Sequence, residues 1–317
     1  MFLLAAEEMN FSKAAERAFV TQQSLSANIR KLEAEYGVRL FERRPHLRLT
    51  EEGRYLYGAL RKQEIFENGV HNRLRELHEG MRGHFTLGIN ATRAQVYLPL
   101  IYETYHKQFP HVEITVLADD MPGMTTLLRN GKIDLLVGID CPASREFEYV
   151  RVGQDPFYFL ARESLLHRYA CTPGSVDQSL ATGEIDFGRY RALPIVGHRT
   201  QSTTTALIQR FLDRNGIVQE KNVFVSEVSV QLSFCGLGLA GIYLQRSLLP
   251  LVHDYNAAHG EQDPIRIFRV SGLTEGQHID LVTNRLAHQP CYQKAFMELF
   301  RDRLKEYLNQ GADGSSS

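Results

Sequence analysis

Residues 11–53 read FSKAAERAFVTQQSLSANIRKLEAEYGVRLFERRPHLRLTEEG, and their spacing describes two short helices followed by a basic hairpin. Asn10 and Ser12 offer N-cap oxygens ahead of Lys13-Ala14-Ala15-Glu16, where the alanines permit close helix packing. After a turn at Val20-Thr21, the apolar residues Leu25, Ile29 and Leu32 recur at i, i+4 and i+7, which predicts a helix from Gln22 to Glu35. Its exposed sides then carry Gln23, Ser24, Ala27, Asn28, Arg30 and Lys31. Gly37 ends the helix. From Val38 to Thr50 the chain holds Arg39, Arg43, Arg44, His46 and Arg48 around the turn residue Pro45, which suits a two-stranded wing. Between 39 and 48 there are four arginines and one acid, Glu42.

That patch is local, because the whole chain balances 36 Lys plus Arg against 37 Asp plus Glu. Nothing global draws it to nucleic acid or to an anionic membrane. A length of 317 residues with 43% hydrophobic and 23% charged residues excludes disorder and predicts two or three folded domains. Met1–Ala6 lacks a basic n-region and runs into Glu7 and Glu8, so no signal peptide is expected. The apolar run Phe234–Leu244 is far short of the ~18 residues that span a bilayer. A cytoplasmic protein without membrane contact is the expectation. Cys141, Cys171, Cys235 and Cys291 form no CxxC pair and are expected to be reduced, buried small residues. With no HExxH, no nucleophilic triad and no paired carboxylates, neither an enzyme nor a metal or other cofactor is predicted.

Farther along, Thr50-Glu51-Glu52-Gly53 opens a long helix to about Glu79, with Leu56, Ala59, Gln63, Phe66, Val70 and Leu77 near three- and four-residue steps. Such a stripe predicts a partner helix, and Gly80–Gly83 reads as a hinge. From Phe85, strand-like FTLGIN, VEITVLA and IDLLVGI alternate with helices, which predicts a parallel sheet. A second set starts with FYFLA and runs through LPIVG, NVFVSE and LAGIYL; IRIFRV, IDLVTN and a closing helix follow. The expected domains are a winged helix-turn-helix at 1–50, a linker helix and hinge at 51–83, and an α/β two-lobed domain at 84–310. Lobe one is expected at about 84–157 and 265–310, lobe two at about 158–264, and a frayed tail at 311–317.

The stretch 11–53, with its V-T-Q entry, S-x-x-I-x-x-L-E helix, G-x-x-L-F-x-R and L-T-x-x-G, resembles the winged helix-turn-helix of the LysR-type transcriptional regulators. YLPLIYETYHKQFPHVEITV, LLRNGKIDLLVGI and CGLGLAGIYL resemble that family's effector domain, which has the fold of periplasmic solute-binding proteins. Gln23, Ala27 and Tyr243 depart from the proline, arginine and proline common there; the second departure takes away one DNA-binding group. The resemblance implies a ligand-responsive regulator that binds double-stranded operator DNA as a dimer or tetramer and acts on RNA polymerase. The alternative is a two-lobed small-molecule-binding protein or enzyme without a DNA role.

Base edges are read by amides and hydroxyls, and phosphates are met by cations. The DNA-binding candidates are therefore Ser12, Thr21, Gln22, Gln23, Ser24, Asn28, Arg30, Arg43, Arg44, His46 and Arg48. By resemblance, the effector candidates are Asn90, Thr92, Arg93, Met121, His198, Thr200, Gln201, Ser202 and Ser229. Hydroxyls and free amides at helix starts suit a small carboxylate. Peroxide-sensing members carry a cysteine after Gly-His, whereas here Gly197-His198 is followed by Arg199. Gly236–Gly241 matches GxGxxG, but an apparent helix precedes it and a strand follows, the reverse of a dinucleotide site. A tight helix-to-strand turn is expected instead.

Overall fold

The computed structural model describes residues 1–42, 46–79, 82–190, 192–197, 203–259 and 262–309. The N-terminal unit consists of α1 (Phe2–Glu8), α2 (Phe11–Arg17) and α3 (Gln22–Tyr36), then β1 (Phe41–Glu42) and β2 (Arg48–Leu49). Asn10 caps α2 by accepting from the amides of Ser12 and Lys13, and Thr21 caps α3 by accepting from Ser24. Both satisfy first-turn amides that have no partner within the helix. Gly37 closes α3 at φ 68°, a left-handed conformation that glycine adopts without a Cβ clash. Phe2, Ala5, Ala14, Leu25, Ile29, Leu40, Phe41 and Leu49 form the buried core of this unit. Phe41 stands opposite Leu49 in the antiparallel wing.

Helix α4 (Glu51–Glu79) spans 29 residues, about 44 Å at 1.5 Å per residue. A Cβ at residue 53 would lie 2.1 Å from the Leu40 carbonyl oxygen, so only glycine lets the helix start this close to the wing. Thr50 locks the junction, donating to the Arg39 carbonyl and accepting from the Gly53 amide. Buried Arg61 pairs with Glu7 of α1 and with Glu64. Of the expected apolar stripe, Ala59, Gln63, Phe66 and Val70 are exposed, joined by Tyr55 and Leu74. Leu56 is a correction: it packs with Tyr57 and Leu60 on the N-terminal core, because the first turns of α4 lie against that unit. The side chain of Leu77 lies outside the described residues, as do Gly80 and the tail from 311.

The α/β part begins with β3 (Gly83–Gly88), α5 (Ala91–Gln108), β4 (Val112–Leu117), α6 (Met121–Arg129) and β5 (Leu135–Ile139), with β3 parallel to both β4 and β5. Strand β6 (Phe147–Arg162) is 16 residues long and passes through both lobes. Next come α7 (Glu163–Tyr169), α8 (Ser175–Thr182), β7 (Glu184–Ile185), β8 (Pro194–Gly197), α9 (Thr203–Arg214) and β9 (Glu220–Phe224). Then follow α10 (Val228–Gly236), β10 (Ile242–Gln245), α11 (Pro250–His259), β11 (Ile265–Val270), β12 (Gly276–Asn284) and α12 (Cys291–Asn309). The main sheet runs β4-β3-β5-β12-β6-β11-β7, with β10 also on β6.

Three expectations change. FYFLA is not a separate strand but the second half of β6. Strand β11 pairs with residues 158–162 of β6 and with β7, so the chain returns to lobe one at β12, near 276 rather than 265. Strand β12 is antiparallel to β5 and β6, which makes the lobe-one sheet mixed rather than wholly parallel. An apolar run carries no information about its partner, and these pairings join segments 85 to 146 residues apart. The cysteines are a fourth correction: Cys235 is buried, but Cys171 and Cys291 are exposed and Cys141 is intermediate. Burial, with Asp280 and Asp140 nearby, pushes the Cys141 thiol up to about 11. Gly236–Gly241 forms the expected turn from α10 to β10, with Gly241 packed on the Phe159 ring. Tyr243 sits within β10 opposite Phe159, its hydroxyl paired with the Gln219 amide. No described helix is long and apolar enough to cross a membrane.

Candidate nucleic-acid interface and effector cleft

The burial of Leu25 and Ile29 turns the opposite side of α3 outward, so Gln22, Gln23, Ser24, Asn28 and Arg30 are all exposed. Ser12 donates to the Gln22 side-chain oxygen at 3.2 Å, which ties the start of α2 to the start of α3. The Asn28 amide donates to the Ser24 carbonyl and Arg30 to the Ser26 hydroxyl, local bonds that a partner at the surface can replace. His46 and Arg48 are exposed on the wing, but Arg48 pairs with Glu42 across the hairpin at 2.5 Å. Arg43 and Arg44 lie outside the described residues. Sequence reasoning missed Glu33, whose carboxylate accepts from the amides of Leu40 and Phe41 and thereby fixes the wing to α3. Nothing in the residue spacing signals that role.

The structure brings Thr92 of α5 and Ser229 of α10 to one cleft of about 460 Å³ between α5, α10 and α11. Gln95, Glu227, Asp254, Tyr255 and His259 also line it. Asn90 is the N-cap of α5, its side chain accepting from the amides of Thr92 and Arg93. Met121 opens α6 and packs against the small core of Met124, Leu128 and Ile133. His198, Thr200, Gln201 and Ser202 lie outside the described residues.

Arg93 does not line that cleft: it is buried, and both of its terminal nitrogens bond inward. It pairs with Asp155 at 3.0 Å, donates to the Tyr97 hydroxyl at 2.5 Å and to the Gln277 side-chain oxygen at 3.1 Å. Asp155 accepts in addition from the amide and hydroxyl of Ser247, at 2.9 and 2.6 Å. Gln277 donates onward to Thr203 at the start of α9. The network therefore joins α5 to β6, to the start of β12 and to the start of α9. Burial pulls the Arg93 guanidinium down, but Tyr97 and Asp155 outweigh it and raise it further. Burial also pushes Tyr97 up to about 12, so the phenol stays neutral at physiological pH.

Comparison with known proteins agrees with this architecture. The family model described as bacterial regulatory helix-turn-helix protein, lysR family, matches residues 1–54, and the LysR substrate binding domain matches residues 78–305. CitR of Bacillus subtilis (strain 168) is 32% identical over 145 residues, 44% of this chain and 48% of that protein. The chain thus spans about half the length of the first curated relatives it matches, although YfeR of Shigella flexneri, at 23% identity, aligns over 96% of this chain and 92% of its own. Among solved structures, a full-length OxyR variant from Pseudomonas aeruginosa has a TM-score of 0.64 at 19% identity, covering 96% of this chain and 92% of its own. CbnR in complex with its target DNA has a TM-score of 0.53 at 19% identity, covering 95% and 96%. These two show the fold: a helix-turn-helix unit, a linker helix and a two-lobed α/β domain in one order. With the substrate-domain model matching well over half of its length, this chain belongs to the LysR family of bacterial regulatory helix-turn-helix proteins.

Proposed function

We propose that this chain is a ligand-responsive transcriptional regulator that grips operator DNA as a dimer or tetramer and acts in the cytoplasm together with RNA polymerase. The observation that carries the reading is the outward face of α3. Four amide or hydroxyl side chains, Gln22, Gln23, Ser24 and Asn28, stand exposed on a helix whose other side is locked into a core. A helix of that kind enters the major groove with its first residues at base edges. CbnR, which shares the fold, has been seen with its target DNA. A small metabolite in the cleft changes the DNA grip to the extent that it binds one lobe arrangement better than another.

Gel-shift titration on the DNA upstream of the gene tests this. Gln22→Ala or Ser24→Ala reduces discrimination between operator and random DNA by ~1–3 kcal/mol for each base that is no longer read. Arg43→Ala weakens binding to both and lowers the salt slope by roughly one. Equal weakening on both DNAs for the α3 variants removes the base-reading role. No shift at all favours the two-lobed binder without a DNA role.

A further inference from the structure

We infer that the cleft between α5, α10 and α11 takes a small organic cation, an amine or quaternary ammonium, rather than the carboxylate expected from helix starts alone. This rests on the reading that the cleft is the effector site. Its volume, about 460 Å³, suits a small metabolite. Among the described residues, the lining holds two carboxylates, Glu227 and Asp254, on different elements, and no lysine or arginine. Among the described residues, neither carboxylate makes an ion pair. Arg93 is next to Thr92 in sequence, but it is buried and its charge is met by Asp155.

The helix starts do not reverse this balance. A helix N-terminus offers an anion about half a positive charge. At α5 that charge is already engaged, since Asn90 accepts from the first amides. At α10 the N-cap position is itself an anion, Glu227. Two full negative charges exceed what remains.

The rest of the lining fits the same chemistry. Tyr255 presents an aromatic ring, stacked on His259 with centroids 4.0 Å apart, and aromatic faces attract ammonium groups. Its position depends on Gly236, where a Cβ would lie 2.2 Å from the Tyr255 hydroxyl. Thr92, Gln95, Ser229 and Ser233 supply oxygens that accept from N–H or O–H groups of the ligand. Thr92 and Gln95 come from α5 and the acids from the start of α10 and from α11, so one bound cation touches three elements far apart in the chain.

The full-length protein would be titrated by calorimetry and thermal melting with 1,4-diaminobutane, ethanolamine and choline, and with succinate, glycolate and benzoate. 1,4-Diaminobutane and succinate share a four-carbon length and carry opposite charge. At least one amine is expected to bind. Glu227→Gln and Asp254→Asn, isosteric changes at exposed positions, should each weaken that binding roughly ten- to a hundred-fold. Circular dichroism confirms that the variants are folded. A carboxylate that binds and is weakened by Thr92→Val overturns the charge class but leaves the cleft as the effector site. Amine binding unaffected by changes at Glu227, Asp254 and Thr92 overturns both. No binding by any of the amines overturns the inference.

Discussion

At Glu33 one carboxylate oxygen accepts from the amides of Leu40 and Phe41, at 2.9 and 3.3 Å. Glu33→Ala leaves both amides without an acceptor, and half-buried donors left unpaired cost ~1–3 kcal/mol each when water cannot replace the bond. Thermal melting should show that destabilisation, and Glu33→Gln, which keeps the oxygen, should recover most of it. An alanine variant that melts like the parent would show that water replaces the carboxylate. Residues of this kind escape sequence reading because their partners are set by where the chain turns back, seven and eight positions later. Gln22, Ser24 and Asn28, by contrast, are legible because the burial of Leu25 and Ile29 on the same helix decides which way they face.

The long helix α4 has two jobs along its length. Its first turns bury Leu56 and Leu60 against the helix-turn-helix core, while Phe66 is 64% and Leu74 59% exposed beyond it. The opposite side of this part of α4 packs on the α/β domain, Ile65 against Gly131 and Gly69 against His288, so apolar side chains left exposed at this spacing call for a second helix. Phe66→Asp places a charge in that seam and should yield monomers in sedimentation with two half-sites no longer held together. Because Phe66 is exposed in the single chain, the melting of the isolated subunit should change little. A dimer that persists with full operator affinity would locate the seam elsewhere. The stripe is readable from its period, but the side on which Leu56 falls is not, since the same heptad serves either packing.

For the whole molecule, the Arg93–Asp155 pair lies where the two lobes join. Arg93→Met leaves Asp155 buried without a counter-charge, a change that costs about 3–5 kcal/mol. Chemical denaturation should register it, and the double change Arg93→Met with Asp155→Leu should restore part of that stability, as an apolar replacement of a buried pair is often near neutral. If the double variant is as unstable as the single one, the hydroxyls of Tyr97 and Ser247 need the charges and the network acts as a unit. Such an outcome would also show in the ligand response, because Thr203 at the start of α9 hangs on the same network through Gln277.

Periodicity, caps and turn residues act within a few positions of one another, and they suffice to specify the helix-turn-helix, the wing, the linker helix and most strands of the α/β domain. They also place the groups proposed to read DNA together on α3. Features that depend on distant partners emerge only when the chain is folded. Arg93 reads as a ligand group because its counter-charge, Asp155, is 62 positions away. Strand β11 reads as lobe one because an apolar run does not name the strand it joins. Asp254 goes unread because α11 lies in a stretch whose pattern, PLVHDYNAAH, carries only a weak apolar period. Local order follows from short-range sterics and hydrogen bonding, whereas pairing and charge balance across a fold are set by long-range packing that no local spacing encodes.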